Sequence, residues 1–219
     1  MSRYGRYSGY GYFQYRPKVN KDKFFKANPG CKPVVIDGQT IAKTFWGQRW
    51  CRHFDGMADY ANRLARGRTY ARNGSVCHLD ITAGKVEAVV AGSDFYKVNM
   101  DVKPLPLDKW NDIKKKCHGQ ISTIVDLLLG RFSPDVMEII CDAKMGMFPN
   151  EDEISFNCSC PDWAQLCKHI GAVFCSIGNR LDQSPELLFL LRRVDPSELL
   201  EGSAKELVDG AQGTDADAL

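Results

Sequence analysis

Cys158, Cys160, Cys167 and His169 fall within twelve residues, in the pattern C-x-C-x6-C-x-H. Thiolate and imidazole are the ligands that zinc prefers, and Cys3His in a tetrahedral shell is an established structural set. The spacing lets the four share one ion. Residues 153–157 alternate as a strand does, and residues two apart on a strand point to the same side, so Cys158 and Cys160 can face one centre. Pro161-Asp162 turns the chain. Cys167 and His169 then open an apolar-periodic run, Ile170, Val173, Phe174, Ile177 and Leu181, that reads as an amphipathic helix. A helix N-terminus favours a thiolate electrostatically. Buried free cysteines or disulfides would account for each residue singly, but not for two pairs that each have one residue between their members. The reading is a Zn2+ site closed by Cys158, Cys160, Cys167 and His169, with no open position for a reacting water. Lys168 and Arg180 would set positive charge beside it. Trp163 either packs over the site or belongs to the core.

The pattern resembles the SWIM zinc finger, C-x-C-x(n)-C-x-H, with a short n. The text around it, residues 154–163 and 167–173, is similar to the bacterial SWIM proteins often associated with Swi/Snf-type helicase-like ATPases. Residues 45–50 (FWGQRW) and 67–74 (GRTYARNG) look like further signatures of that family, so the resemblance covers about residues 45–194. It implies a zinc-stabilised module that binds nucleic acid or protein. It also implies a Swi/Snf-type helicase-like ATPase as a partner, and no defined reaction.

Around this stretch the chain has 219 residues, 44% hydrophobic and 26% charged, an ordinary globular composition. No run is long and apolar enough for a membrane span, and the first residues lack the apolar stretch of a signal peptide. Nine cysteines, an odd number in a chain of this length, fit a reducing, cytoplasmic setting with three metal thiolates and six incidental thiols: Cys31, Cys51, Cys77, Cys117, Cys141 and Cys175. The net charge of +2 hides a polarity. Residues 1–72 carry 15 Lys and Arg against 4 Asp and Glu, a net +11, whereas residues 195–219 carry 1 against 7. A basic first third suits a polyanion; a merely solvated face is the alternative.

The elements that must position the site follow in order. Residues 1–16 interleave tyrosines with arginines and show no period, so they read as flexible, able to stack on bases or simply a leader. Residues 17–42 read mostly as loop, with a short strand at Val34–Ile36. Residues 43–65 carry Phe45, Trp46, Trp50, Phe54, Met57 and Leu64 at helical steps, with Trp46 and Trp50 in the core. Gly67 would end that helix, leaving Arg63, Arg66, Arg68 and Arg72 crowded at a short loop before the Asn73-Gly74 turn. Those four arginines are candidate phosphate contacts, unless they pair with Asp55, Asp59 or Asp80 within the fold. Residues 75–102 alternate as an antiparallel meander. Helices follow after Pro106, up to Gly130, and from Ser133-Pro134. Another starts at Ser184-Pro185, and a last one at Asp195-Pro196 would run to about Val208.

The expected fold is therefore α+β: a helix and an antiparallel β-meander, a helical segment, and a small zinc-stabilised ββα-like module. The divisions are 1–42, a flexible basic region; 43–150, an α+β domain; 151–194, the finger module; and 195–219, an acidic helix and tail. His53, His78 and His118 lack ligand partners at metal spacing. Asp80, Glu87 and Asp94 lie on separate strands or turns. With no nucleophile–base pair, phosphate-cradling glycine loop or open metal position, the residues point away from an enzyme. The expected role is nucleic-acid binding, with DNA favoured over RNA. A protein-interaction adaptor for a helicase-like ATPase is the alternative.

Overall fold

The computed structural model describes residues 19–55, 61–162, 164 and 166–200. The expectations for the Tyr/Gly/Arg leader, for Trp163 and for the segment beyond residue 200 lie outside these residues. The α+β class holds: most of the helices pack on one face of a four-stranded antiparallel sheet, while the first, through Phe24 stacked on Phe95, lies against the other. The strands are β1 (Val76–Thr82), β2 (Lys85–Ala91), β3 (Phe95–Val102) and β4 (Ile154–Cys158), in the order β1-β2-β3-β4. In β3, Tyr96, Val98, Met100 and Val102 are buried, whereas Lys97, Asn99 and Asp101 are exposed. This is the period-2 alternation of a sheet packed on one face.

The helices are α1 (Lys21–Ala27), α2 (Phe45–Asp55), α3 (Ala61–Arg72), α4 (Leu107–Cys117), α5 (Ile124–Leu129), α6 (Pro134–Cys141), α7 (Lys168–Gln183) and α8 (Glu186–Arg192). Several ends follow the local chemistry expected of them. The Ser133 side chain caps α6, with Pro134 in the first turn. Gly130 closes α5 at φ +67, the left-handed conformation that glycine adopts without strain. Asp195 caps a 3-10 turn, Pro196–Leu199.

Helix α7 is the centre of the molecule. Eleven of its sixteen residues are buried, as befits a helix apolar almost all round. It packs on α2, α3 and the buried sheet face within a single hydrophobic cluster. Trp50 is wholly buried and donates from its indole to the Phe174 carbonyl, 2.9 Å away. Trp46 does the same to Leu127 at 3.1 Å. Both tryptophans are core, as expected.

Three expectations are corrected. Gly67 does not end a helix: α3 continues to Arg72. Gly67 is instead the point where α3 touches α7. A Cβ there would lie 2.4 Å from the Gly171 carbonyl carbon and 2.7 Å from the Ala172 nitrogen. The finger segment is also not a ββα unit of its own. Its single strand, β4, pairs antiparallel with β3 from Val98↔Cys158 to Val102↔Ile154, and its helix is α7, so residues 151–194 share one sheet and one core with residues 43–150. The basic stretch before residue 43 holds a helix, α1, capped by the Asn20 side chain. In place of a regular strand at Val34–Ile36, Val34 donates to Val76 and Lys32 accepts from Leu79, binding the segment to the edge of β1.

A buried ion pair fastens the far end of β4. Arg192, with no exposed surface, donates to the Glu153 carboxylate at 3.0 Å and to the Lys103 carbonyl at 2.9 Å. Glu153 also accepts from the Asn150 backbone at 2.9 Å. Such a pair is strongly destabilising to break, because one charge would be left buried alone.

Candidate metal centre

The four residues singled out by spacing do converge. Cys158 ends β4, Cys160 follows, Cys167 occupies the N-cap position of α7, and His169 sits in its first turn. Their ligand atoms all lie within 4.8 Å of one another, with Cys167 and His169 buried and the other two half-buried. The Cys158 and Cys167 sulfurs each stand 3.8 Å from Nδ1 of His169. Ligands at the corners of a tetrahedron with Zn–S of about 2.3 Å and Zn–N of about 2.0–2.1 Å are separated by roughly 3.6–3.8 Å. The cluster can hold a metal ion, and its geometry is compatible with zinc.

Local chemistry explains the placement. Beyond the end of β4, Ser159 still donates to the Lys97 carbonyl at 3.0 Å, while its hydroxyl accepts from Lys97 N–H. The first knuckle is thereby held against β3. Asp162 accepts from Ala164 N–H across the turn and takes an ion pair from Arg63 at 2.7 Å. At the second knuckle, hydrogen bonds from the Cys158 thiol, the His169 imidazole and the Ile170 N–H hold the Cys167 thiol below its usual range, against the opposing effect of burial. Cys158 moves upward, because it keeps the proton it shares with Cys167 and is itself buried. The N-terminus of α7 favours the thiolate form at Cys167, the form a soft cation binds.

The imidazole is held on every side. Tyr96 stacks on it at 4.4 Å, Tyr70 meets it edge-on at 5.4 Å, and Gly92 leaves the space that Nε2 occupies. A Cβ on Gly92 would lie 3.0 Å from Nε2 and 2.9 Å from the Tyr96 ring. Ser93 and the Tyr96 hydroxyl hydrogen-bond at 2.7 Å across the same turn. His169 is 2% exposed, and its Nε2 has no hydrogen-bond partner among the described residues. A buried imidazole with one unpartnered nitrogen, and only thiols near the other, is unfavourable. A metal on Nδ1 would replace the weak thiol contacts on that side, leaving Nε2 protonated and packed against Tyr96 and Gly92. Tyr70, Tyr96 and Gly92 were not foreseen as walls of this site. The only sequence signal was the parity that turns Tyr96 inward with Val98 and Met100.

Among the described residues no other His, Cys, Asp or Glu cluster can hold a metal. Cys175 is buried on the far course of α7, and burial, with Cys51 nearby, pushes its thiol up to about 12. Burial likewise pushes Cys51, Cys117 and Cys141 up to about 11. Cys117 and Cys175 are buried and Cys51 and Cys141 half-buried.

The four arginines lie on α3 rather than in a loop. Arg63 pairs with Asp162 and Arg68 with Asp55, and Arg72 donates from Nε to the Gln39 carbonyl at 2.8 Å. Of the pairings weighed as the alternative, the one with Asp55 holds for Arg68, Asp80 pairs with Lys32 instead, and Arg63 is paired by Asp162, which was not foreseen. Arg66 is exposed, with no ion-pair partner among the described residues. Lys168 lies 5.6 Å over the Tyr70 ring, beside the ligands. No helix among the described residues is long and apolar enough to cross a membrane.

No protein-family model matches the chain, and no solved structure matches it. It is similar to the uncharacterized protein Rv2102 of Mycobacterium tuberculosis (strain ATCC 25618 / H37Rv), with 31% identity over 194 residues that span 84% of this chain and 70% of the other. Identity at that level over most of both chains places the present chain in the same family as Mycobacterium tuberculosis Rv2102.

Proposed function

We propose that this protein is a zinc-binding module of SWIM type that binds nucleic acid, DNA in preference to RNA, and that it acts by binding and not by catalysis. The observation that carries the reading is the placement of α3. That helix bears four arginines and no acidic residue, and its Gly67 lies backbone to backbone on Gly171 of α7, two residues after ligand His169. A Zn2+ held by Cys158, Cys160, Cys167 and His169 would fix the first turn of α7, and through it the basic helix. Four protein ligands leave no open coordination position for a reacting water, which supports a structural metal. Arg66, exposed, and Lys168, beside the finger, are among the cations that can meet phosphates. Arg63 is held to the finger by Asp162.

An electrophoretic mobility assay with single- and double-stranded DNA and RNA at two salt concentrations tests this. Binding should fall steeply as salt rises. Arg66→Ala should weaken it for all sequences alike and flatten the slope by roughly one unit, because one released counterion is lost. Melting and zinc content should stay as in the wild type. If the wild type shows no salt-dependent binding to any of the four, the nucleic-acid reading fails and the role passes to protein contacts, as an adaptor for a Swi/Snf-type helicase-like ATPase.

A further inference from the structure

The arginines of α3 divide between two faces. Arg63 turns to the finger, where Asp162 neutralises it. Arg68 and Arg72 are four residues apart and so share another face. With Arg52 of α2 they line a cleft of about 220 Å3, walled on its other side by residues 39–42 and Gln48.

The charge in this cleft is not balanced. Asp55 neutralises Arg68. Arg72 uses Nε on the Gln39 carbonyl and has no ion pair among the described residues, and neither does exposed Arg52. The other acid nearby, Asp182, is fully engaged: it accepts from Lys43 N–H at 2.6 Å and from the Thr44 N–H and hydroxyl at 2.9 and 2.6 Å. Three guanidinium groups, Arg52, Arg68 and Arg72, against the carboxylates of Asp55 and Asp182 leave the concave wall net positive, a potential that favours an anion. Their forked donors match phosphate oxygens better than a point charge would. The volume decides between ligands. Pockets that enclose a whole small molecule run from about 300 to 1,000 Å3, so this cleft takes one phosphate group and leaves what carries it outside.

We propose that the cleft between Arg52, Arg68 and Arg72 seats one backbone phosphate of a nucleic-acid strand. This rests on the nucleic-acid reading above and adds a contact point, including a residue of α2, at a defined place on the molecule.

The test compares wild type, Arg52→Gln and Arg52→Gln/Arg72→Gln by fluorescence anisotropy, using a labelled oligonucleotide of about twenty nucleotides at about 50 and 200 mM salt. Melting temperature and zinc content serve as fold controls, and inorganic phosphate serves as competitor. Arg52→Gln should keep wild-type melting and zinc and bind the strand about 10-fold more weakly, with the salt slope reduced by about one. The double variant should lose about two units of slope. Strand binding by both variants equal to that of the wild type overturns the cleft while leaving the nucleic-acid reading intact. A wild type that binds no strand overturns both. Inorganic phosphate bound by the wild type in the absence of any strand binding would assign the cleft to a free anion and overturn the proposed occupant.

Discussion

Replacement of His169 by alanine, or of Cys167 by serine, should reduce bound zinc from about one ion per chain to none and lower the melting temperature by roughly 8–16 °C. The size follows from linkage. A metal that binds only the folded state, at a free concentration a thousand times its dissociation constant, stabilises by about 4 kcal/mol. For a chain of this length each kcal/mol is worth about 2–4 °C. The loss should be partial, because α7 keeps its packing on α2, α3 and the sheet, so the unmetallated protein is weakened where β4 meets the first turn of α7. Metal analysis and calorimetry provide the measurements. Cys175→Ala, outside the cluster, should keep its zinc. Full occupancy in both ligand variants would remove the assignment, and zinc lost from Cys175→Ala but kept in Cys158→Ala would replace it.

The second large effect is expected at Gly67. Alanine there places a methyl group 2.4 Å from the Gly171 carbonyl carbon and 2.7 Å from the next backbone nitrogen. No rotamer change relieves a clash with backbone. The two helices must separate, and a separated core interface loses dispersion contacts along its length. Gly67→Ala should therefore cost about 3 kcal/mol, or a drop of roughly 6–12 °C in melting. Gly171→Ala should be milder, about 1 kcal/mol, since its nearest contact would be the Arg63 carbonyl oxygen at 3.2 Å. Gly30→Ala, which meets nothing within 4 Å, serves as the control. If Gly67→Ala melts with the control, α3 and α7 do not cross as closely as Gly67 and Gly171 imply.

The Cys3His cluster was legible in the sequence because the chemistry is local. Four side chains within twelve residues can be judged by spacing alone, and a strand followed by a helix N-terminus supplies the directions. The meander was legible for the same reason, from alternation and tight turns. The arginines were not. Arg63 is settled by Asp162, ninety-nine positions away, and no local pattern announces such a pair. Gly67 was misread by the same logic. In isolation a glycine after a helical run signals an end, but here the run continues because a second glycine, on α7, occupies the space where a side chain would stand. Nothing in the local sequence marks Glu153 and Arg192, yet they form the most deeply buried ion pair among the described residues. Burial of that kind is decided by what packs above it, which single-sequence patterning does not contain.

The position of α7 along the chain has a consequence for how the protein is made. Helices α2 and α3 have emerged by residue 72, yet the helix that covers their apolar faces starts at Lys168. A ribosome adding about 5–20 residues per second leaves those faces open for roughly 5–20 s. During that time Trp50 and Phe54, whose partner Phe174 lies on α7, present a hydrophobic surface without that cover, which is the kind of surface that nascent-chain chaperones hold. Chains stalled before Lys168 should be cut readily by protease between residues 45 and 72, and chains stalled well past Gln183 should resist. Early protection would mean that the two helices find a temporary cover of their own.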